Sequence, residues 1–151
     1  MNYKNIGNAD FLKYSLKVNK VLNLNNKLTA NVGGEGSIVH GDDIPETNIP
    51  AIGGIYNRQN SINFWGLEPS RYFSNKIESC FGQIFYEFNP SRYFLLRYNG
   101  AVIENEDNGK KYLHGGGVGI GADTMVGPIQ FILSKSNKNS VIAYFNIGLN
   151  F

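Results

Sequence analysis

Apolar and polar residues alternate with a period of two over most of the chain, most clearly near its end. Between Ser140 and Phe151 every odd position is apolar, while the even positions are mostly polar or small. This alternation predicts a β-strand with one apolar face. The segment is long for a strand of a soluble protein, and it supplies the ~9–11 residues that a tilted strand needs to cross a bilayer.

The same alternation recurs in earlier segments, which are separated by turn residues. These segments are 12–22, 28–38, 78–88, 92–104, 113–124 and 127–136. In the 113–124 segment, a stripe of glycines from Gly115 to Gly121 opposes Val118 and Ile120. Such a series predicts an antiparallel meander. The stretch from His40 to Asn63 lacks clean alternation, and we expect one weakly marked strand there, near Ile49 to Tyr56. The predicted total is then about eight strands.

The predicted connections alternate in length. Short turns are expected at 24–26, 89–91 and 125–128, and longer polar loops at 105–111 and 135–139. Transmembrane barrels have short periplasmic turns and longer outer loops. Counting back from Phe151 places the second and third turns in the periplasm. It places the 24–26 turn on the outer side, where a long loop is expected, so the scheme is inconsistent at that point.

These patterns predict an all-β fold, an antiparallel transmembrane β-barrel. A soluble barrel of the ligand-carrying type also alternates, with its apolar side chains pointing inward. The pattern alone does not say which face is outside, so that alternative stays open. The small number of charges per strand favours a membrane barrel over a soluble one. Aromatic residues near the strand ends also favour it, because they resemble the aromatic girdles at the membrane interfaces. Those aromatic residues are Tyr86, Phe88, Tyr93, Phe94, Tyr112 and Phe151.

Composition changes this picture little. The 151 residues, with a net charge of +2, suit one domain over 1–151 and give no reason to expect a nucleic-acid partner. The N-terminus lacks the apolar core of a signal peptide, so we expect either that one was removed or that the chain is a fragment. No G-x-S-x-G motif or clustered metal ligands occur, and we expect no catalytic site, metal or cofactor.

A glycine-rich strand followed by an aspartate-threonine turn and Gly-Pro occupies His114 to Ile129. This string resembles the penultimate strands of the surface-antigen barrel superfamily, which includes outer-membrane assembly insertases and two-partner secretion transporters. Within it, the chain is most similar to barrels attached to patatin-like phospholipases, the autotransporter kind. Gly53-Gly54 and Phe64-Trp65-Gly66-Leu67 resemble the stretch before the inward-folded loop of those barrels. The resemblance covers about the last two thirds of the chain, and only the 114–129 string is fairly specific.

The resemblance implies the C-terminal half of a larger bacterial outer-membrane barrel, with roughly twice as many strands. It implies a barrel that anchors, and helps to translocate, a passenger or partner such as a patatin-like phospholipase. Any lipase activity would then lie in a domain absent from this chain. The expected partners are the lipid bilayer, the barrel assembly machinery, and a passenger domain or a second barrel copy. A self-contained small structural outer-membrane barrel and the soluble ligand-binding barrel remain the alternatives.

The resemblance also suggests functional residues. Trp65, Gly66 and Arg71 belong to the inward loop, which in this family usually has an arginine immediately before the glycine. Because Trp65 occupies that position, we expect Arg71 to serve instead and to reach a lumenal carboxylate, Glu87 or Asp123. The apolar series Phe145, Ile147, Leu149 and Phe151 resembles the C-terminal signal by which barrel precursors are recognised during assembly.

Overall fold

The computed structural model describes residues 11–41, 44–55, 60–105 and 109–148. The described residues form ten strands and one 3-10 turn, Glu46–Asn48, and they contain no α-helix. In chain order the strands are β1 Phe11–Asn25, β2 Leu28–Gly41, β3 Ala51–Ile52, β4 Ser61–Ile62, β5 Tyr72–Phe73, β6 Lys76–Asn89, β7 Arg92–Asn105, β8 Gly109–Thr124, β9 Gly127–Ser136 and β10 Ile142–Ile147. No helix among these residues is long and apolar enough to cross a membrane.

Seven of the strands form one large antiparallel sheet in the order β1-β2-β6-β7-β8-β9-β10. The predicted all-β antiparallel fold is therefore confirmed, with seven strands in this sheet instead of about eight. Adjacent strands of this sheet are also consecutive in the chain, except that β2, which pairs with β1 on one side, pairs with β6 on the other. Within the described residues β1 and β10 each pair with a single strand, so the sheet has two edges.

The register decides which face of the sheet is apolar and exposed. Directly paired residues share a face, so Ile84, Leu96 and Val118 form one lateral row. The large apolar side chains of this face are exposed, with Leu16 at 71% and Leu96 at 52% of full exposure. Soluble proteins rarely expose an apolar face of this extent. The outward apolar face is that of a membrane barrel and is the reverse of a soluble ligand carrier.

The strand predicted near Ile49 to Tyr56 is not part of the large sheet. Ala51–Ile52 lies in a separate small sheet of order β4-β3-β5, parallel to β4 and antiparallel to β5. This difference explains the inconsistency in the predicted topology. With no sheet strand between β2 and β6, the Asn26-Lys27 turn falls at the same end of the sheet as the turns at 90–91 and 125–126.

Hydrogen bonds and a shared cavity place these three turns together. The Glu87 amide donates to the Lys27 carbonyl at 2.8 Å, and the Asp123 amide donates to the Ser91 carbonyl at 2.8 Å. A cavity of about 490 Å³ at this end is lined by residues of all three turn regions, including Asn26 and Ser91. We call this the turn end of the sheet. The opposite end, where β2, β7 and β9 end, is the loop end.

Replacing Leu96 with arginine tests the orientation of the outer face. Leu96 lies among apolar neighbours on that face, and a charge there has to enter hydrocarbon. We expect Leu96→Arg to lower the free energy of unfolding by about 2–4 kcal/mol in lipid vesicles, measured by urea unfolding. Asn26→Arg, at the exposed turn end, is the control. A change below about 0.5 kcal/mol for Leu96→Arg, as on an ordinary soluble surface, would contradict the assignment.

Candidate functional site

The connection between β2 and β6 folds back against the inner face of the large sheet. Its three two-residue strands form the small sheet, and Gly53 and Gly54, both with positive φ, link that sheet to the segment 64–67. The Gly54 amide donates to the Leu67 carbonyl at 2.9 Å, and the Phe64 amide donates to the Gly54 carbonyl at 2.9 Å. The described residues of this connection thus lie against the inner face of the sheet. We call residues 44–55 and 60–75 the inward loop.

Apolar side chains attach the inward loop to the inner wall near the loop end. Phe64, Ile52 and Leu67 are fully buried at 0% exposure. They belong to one cluster with Ile62 of the loop and with Ile77, Ala101, Ile103 and Leu113 of the wall. Burying each large side chain stabilises the docked loop by about 1.5–3 kcal/mol. The loop and the inner wall thus form one apolar core together near the loop end.

Asn99 of β7 holds the loop segment at Trp65 through two hydrogen bonds. The Trp65 amide donates to Asn99 Oδ1 at 3.0 Å, and Asn99 Nδ2 donates to the Trp65 carbonyl at 3.3 Å. Asn99 is 1% exposed, so both groups of Trp65 are removed from water and depend on this one side chain. The amide of asparagine is suited to this position because it both donates and accepts.

Two glycines allow the backbone of the loop to touch the wall. Gly66 has φ +91°, and a Cβ there would lie 2.3 Å from the carbonyl carbon of Lys135. A Cβ on Gly115 of β8 would lie 2.5 Å from the Trp65 carbonyl oxygen. Both positions therefore require glycine for the docked geometry. The docked geometry thus gives a physical reason for glycine at position 66 and at position 115 of the glycine stripe.

Tyr144 extends the contacts of the loop to the last described strand. Its hydroxyl donates to the Leu67 carbonyl, and its ring packs against the cluster of Trp65, Leu95 and Ile132. The loop segment 64–67 is thereby in contact with β7, β8, β9 and β10. Any movement of this segment has to break contacts to all four strands together.

Arg97 of β7 lies beneath Trp65 on the inner wall. Its guanidinium carbon is 4.1 Å from the Phe81 ring centroid and 5.7 Å from the Trp65 ring centroid. Its Nη1 donates to Gln83 Oε1 at 3.3 Å. The alternation within 92–104 puts Arg97 and Asn99 on the face opposite Leu96, but the sequence alone suggests no role for either residue. A signal was present, since both are polar residues at successive inward positions of an otherwise regular strand.

The expected pairing of Arg71 with Glu87 or Asp123 is wrong. Arg71 pairs with Glu68 at 3.8 Å, and both side chains are at least half exposed. The next residue, Tyr72, lies at the loop end, because Lys111 of β8 is 3.8 Å from its ring centroid. Asp123 is twelve residues further along the same strand, which corresponds to roughly 40 Å.

Glu87 and Asp123 instead lie at the turn end. Both line the cavity of about 490 Å³ described above, together with Lys27. The Glu87 carboxylate accepts from the Ser91 amide at 3.3 Å. In the predicted assembly signal, Phe145 and Ile147 project from the outer face at 62% and 59% exposure. Leu149 and Phe151 lie outside the described residues.

Removing the Asn99 side chain tests whether it holds the loop. In Asn99→Ala the Trp65 amide and carbonyl are left unpaired, at a cost of about 1–3 kcal/mol for each buried group. We expect the fluorescence of Trp65, the single tryptophan, to shift to longer wavelength and to become more accessible to acrylamide. Asn23→Ala, at an exposed position of β1, is the matched control. Unchanged quenching in Asn99→Ala would show that the apolar cluster alone fixes the loop.

Comparison with known families gives one match that covers nearly the whole chain. The model of the OMP85 superfamily matches residues 2–151. No curated protein matches the chain. The seven-stranded antiparallel sheet, its apolar outer face and the loop folded against its inner face agree with the family match. The chain belongs to the OMP85 superfamily of outer-membrane β-barrel proteins.

Proposed function

We propose that this chain is the gated lumenal wall of an outer-membrane barrel that anchors a passenger or partner protein and helps it to cross the membrane. The observation that carries the proposal is the inward loop, which is held against β7, β8, β9 and β10 through Asn99, Gly66 and Tyr144. A polypeptide that passes along the inner wall has to displace this loop. Membership of the OMP85 superfamily supports a role in assembly or secretion at the outer membrane.

The energetics of docking suit a gate that stays closed at rest. Undocking exposes Ile52, Phe64 and Leu67, each at about 1.5–3 kcal/mol, and leaves the Trp65 backbone without Asn99. An undocking free energy of several kcal/mol keeps the undocked state rarely populated in the resting protein. A passenger that binds the inner wall replaces the lost contacts, so opening depends on its presence.

The two edges of the sheet support a second element of the proposal. Unpaired backbone groups at a sheet edge are not tolerated in hydrocarbon, so β1 and β10 need partners in the membrane. We assign residues 1–151 to the C-terminal half of a larger barrel. Further strands that precede them, or a second copy of the chain, would complete it. A self-contained small barrel is the competing arrangement, in which β1 and β10 pair with each other.

The resemblance of Gly53-Gly54 and of the Phe64–Leu67 segment favours a patatin-like phospholipase as the passenger. In that case the lipase chemistry belongs to the passenger, and the barrel contributes attachment and a route. The apolar outer residues of the last strand, Phe145 and Ile147, would engage the assembly machinery together with Leu149 and Phe151.

The gate is tested by adding a methyl group at Gly66. In Gly66→Ala the Cβ collides with the Lys135 backbone, so the loop cannot dock as it does here. We expect bacteria that carry this variant in the outer membrane to become at least about tenfold more sensitive to large hydrophilic antibiotics. Gly82→Ala is the matched control, because a Cβ at Gly82 meets nothing within 4 Å. Equal sensitivity of the two variants at equal surface levels would reject the gate and favour a small structural barrel.

The assembly signal is tested at Phe151. Replacing an aromatic side chain that the machinery recognises should slow insertion, so we expect Phe151→Ala to reduce the fraction of chains with heat-dependent electrophoretic mobility. Asn150→Ala, at the alternate position, should behave as the wild-type protein. The folded size in the same gels distinguishes one copy from two. Unchanged assembly of Phe151→Ala would remove the signal from the proposal without affecting the gate.

A further inference from the structure

A cavity of about 220 Å³ lies on the inner wall beside Trp65. Its polar lining consists of Gln83, Arg97, Gln130 and Asn146, which come from β6, β7, β9 and β10. The remaining lining is mostly apolar and includes Leu95 and Ile132. Trp65 and Ile55 of the inward loop also line this space, but the proposed gate assigns no role to its polar side chains.

Arg97 is charged, buried and incompletely paired within this cavity. It is 8% exposed, and its Nε has no hydrogen-bond partner among the described residues. The hydrogen bond to Gln83 uses one of the five N–H donors of the guanidinium group. The Phe81 and Trp65 rings contact the guanidinium at 4.1 Å and 5.7 Å, but neither offers an oxygen acceptor.

Glu35 is the carboxylate that acts electrostatically on Arg97, yet it is engaged elsewhere. Its carboxylate pairs with Lys17 Nζ at 3.3 Å. No ion pair joins Arg97 to any described carboxylate within 4.0 Å. Buried charges in proteins are normally paired, because an unpaired one loses its hydration without compensation. The wall therefore presents a cation whose counter-ion the described residues do not supply.

We propose that this cavity binds a carboxylate group, with Arg97 as the charged donor. A guanidinium fork matches the two oxygens of a carboxylate, and the amides of Gln83, Gln130 and Asn146 offer neutral donors around it. The single charge suits a monoanion better than a phosphate dianion. The apolar walls at Leu95 and Ile132 fit a short carbon stem. An acidic side chain of a polypeptide in the lumen and a free small carboxylate both supply this chemistry.

The single tryptophan, Trp65, gives a direct measurement, because its ring lies 5.7 Å from the guanidinium carbon. Folded protein is titrated with acetate, or with a short glutamate-containing peptide, at ionic strength held constant with chloride. We expect a saturable change in Trp65 fluorescence with at least one of these probes. Tighter binding of the peptide would identify a polypeptide side chain as the source, and tighter binding of acetate a free anion.

Variants assign the response to Arg97. We expect Arg97→Gln to raise the half-saturating concentration at least about tenfold, which corresponds to loss of a charge-assisted hydrogen bond. Arg97→Lys is the second variant, to be used if Arg97→Gln does not fold. It keeps the positive charge but loses the two parallel N–H donors of the guanidinium, so we expect it to weaken binding as well. Arg71→Gln, at a half-exposed arginine of the loop, should bind as the wild-type protein.

Two results overturn the proposal. One is the absence of a saturable response in folded wild-type protein, and the other is a response that survives the Arg97 substitutions. The binding is measured on the resting protein and needs no transport. A failed titration therefore leaves the gate intact, and an unchanged antibiotic sensitivity leaves the carboxylate site intact.

Discussion

The apolar side chains of the large sheet face outward, and the rest of the structure depends on this constraint. The inner face of this sheet combines a few apolar residues near the loop end, such as Ile77 and Leu113, with polar side chains and the glycine stripe of β8. Such a face cannot form a core by itself. The inward loop provides the missing apolar material through Phe64, Ile52 and Leu67. The same segment therefore contributes to the core, and under the proposed function it is also the gate, so that opening the gate lowers the stability of the protein.

The long strands were predictable from the sequence because a period of two is imposed on every strand that separates lipid from lumen. The inward loop was not predictable to the same degree. Its strands are two residues long, too short to show a period, and the topology predicted from the sequence includes β3 in the meander. That single error reversed the predicted position of the Asn26-Lys27 turn. Topology inferred by alternation is thus sensitive to the weakest element in the series.

The resemblance points to Trp65 and Gly66 as the loop motif, and the structure places both against the inner wall, while Arg71 does not reach the expected lumenal carboxylates. Proximity in sequence favoured Arg71, which instead pairs locally with Glu68. Arg97 was one polar residue among several on an inward face, and the sequence does not say which of them the loop will cover. Burial by a distant segment, as at Asn99 and Arg97, is a tertiary property that local patterns do not contain.

Under the proposed function, the position of the arginine has a consequence for how the gate opens. In barrels that this chain resembles, the arginine usually precedes the glycine of the loop, so a moving loop carries its charge with it. Here an aromatic residue, Trp65, occupies the loop, and the cation, Arg97, is fixed on β7. When the loop withdraws, the guanidinium of Arg97 stays on β7, and the departure of Trp65 exposes it to the lumen. An opened lumen would present Arg97 to whatever passes, so acidic segments of a passenger would be favoured at this level of the wall.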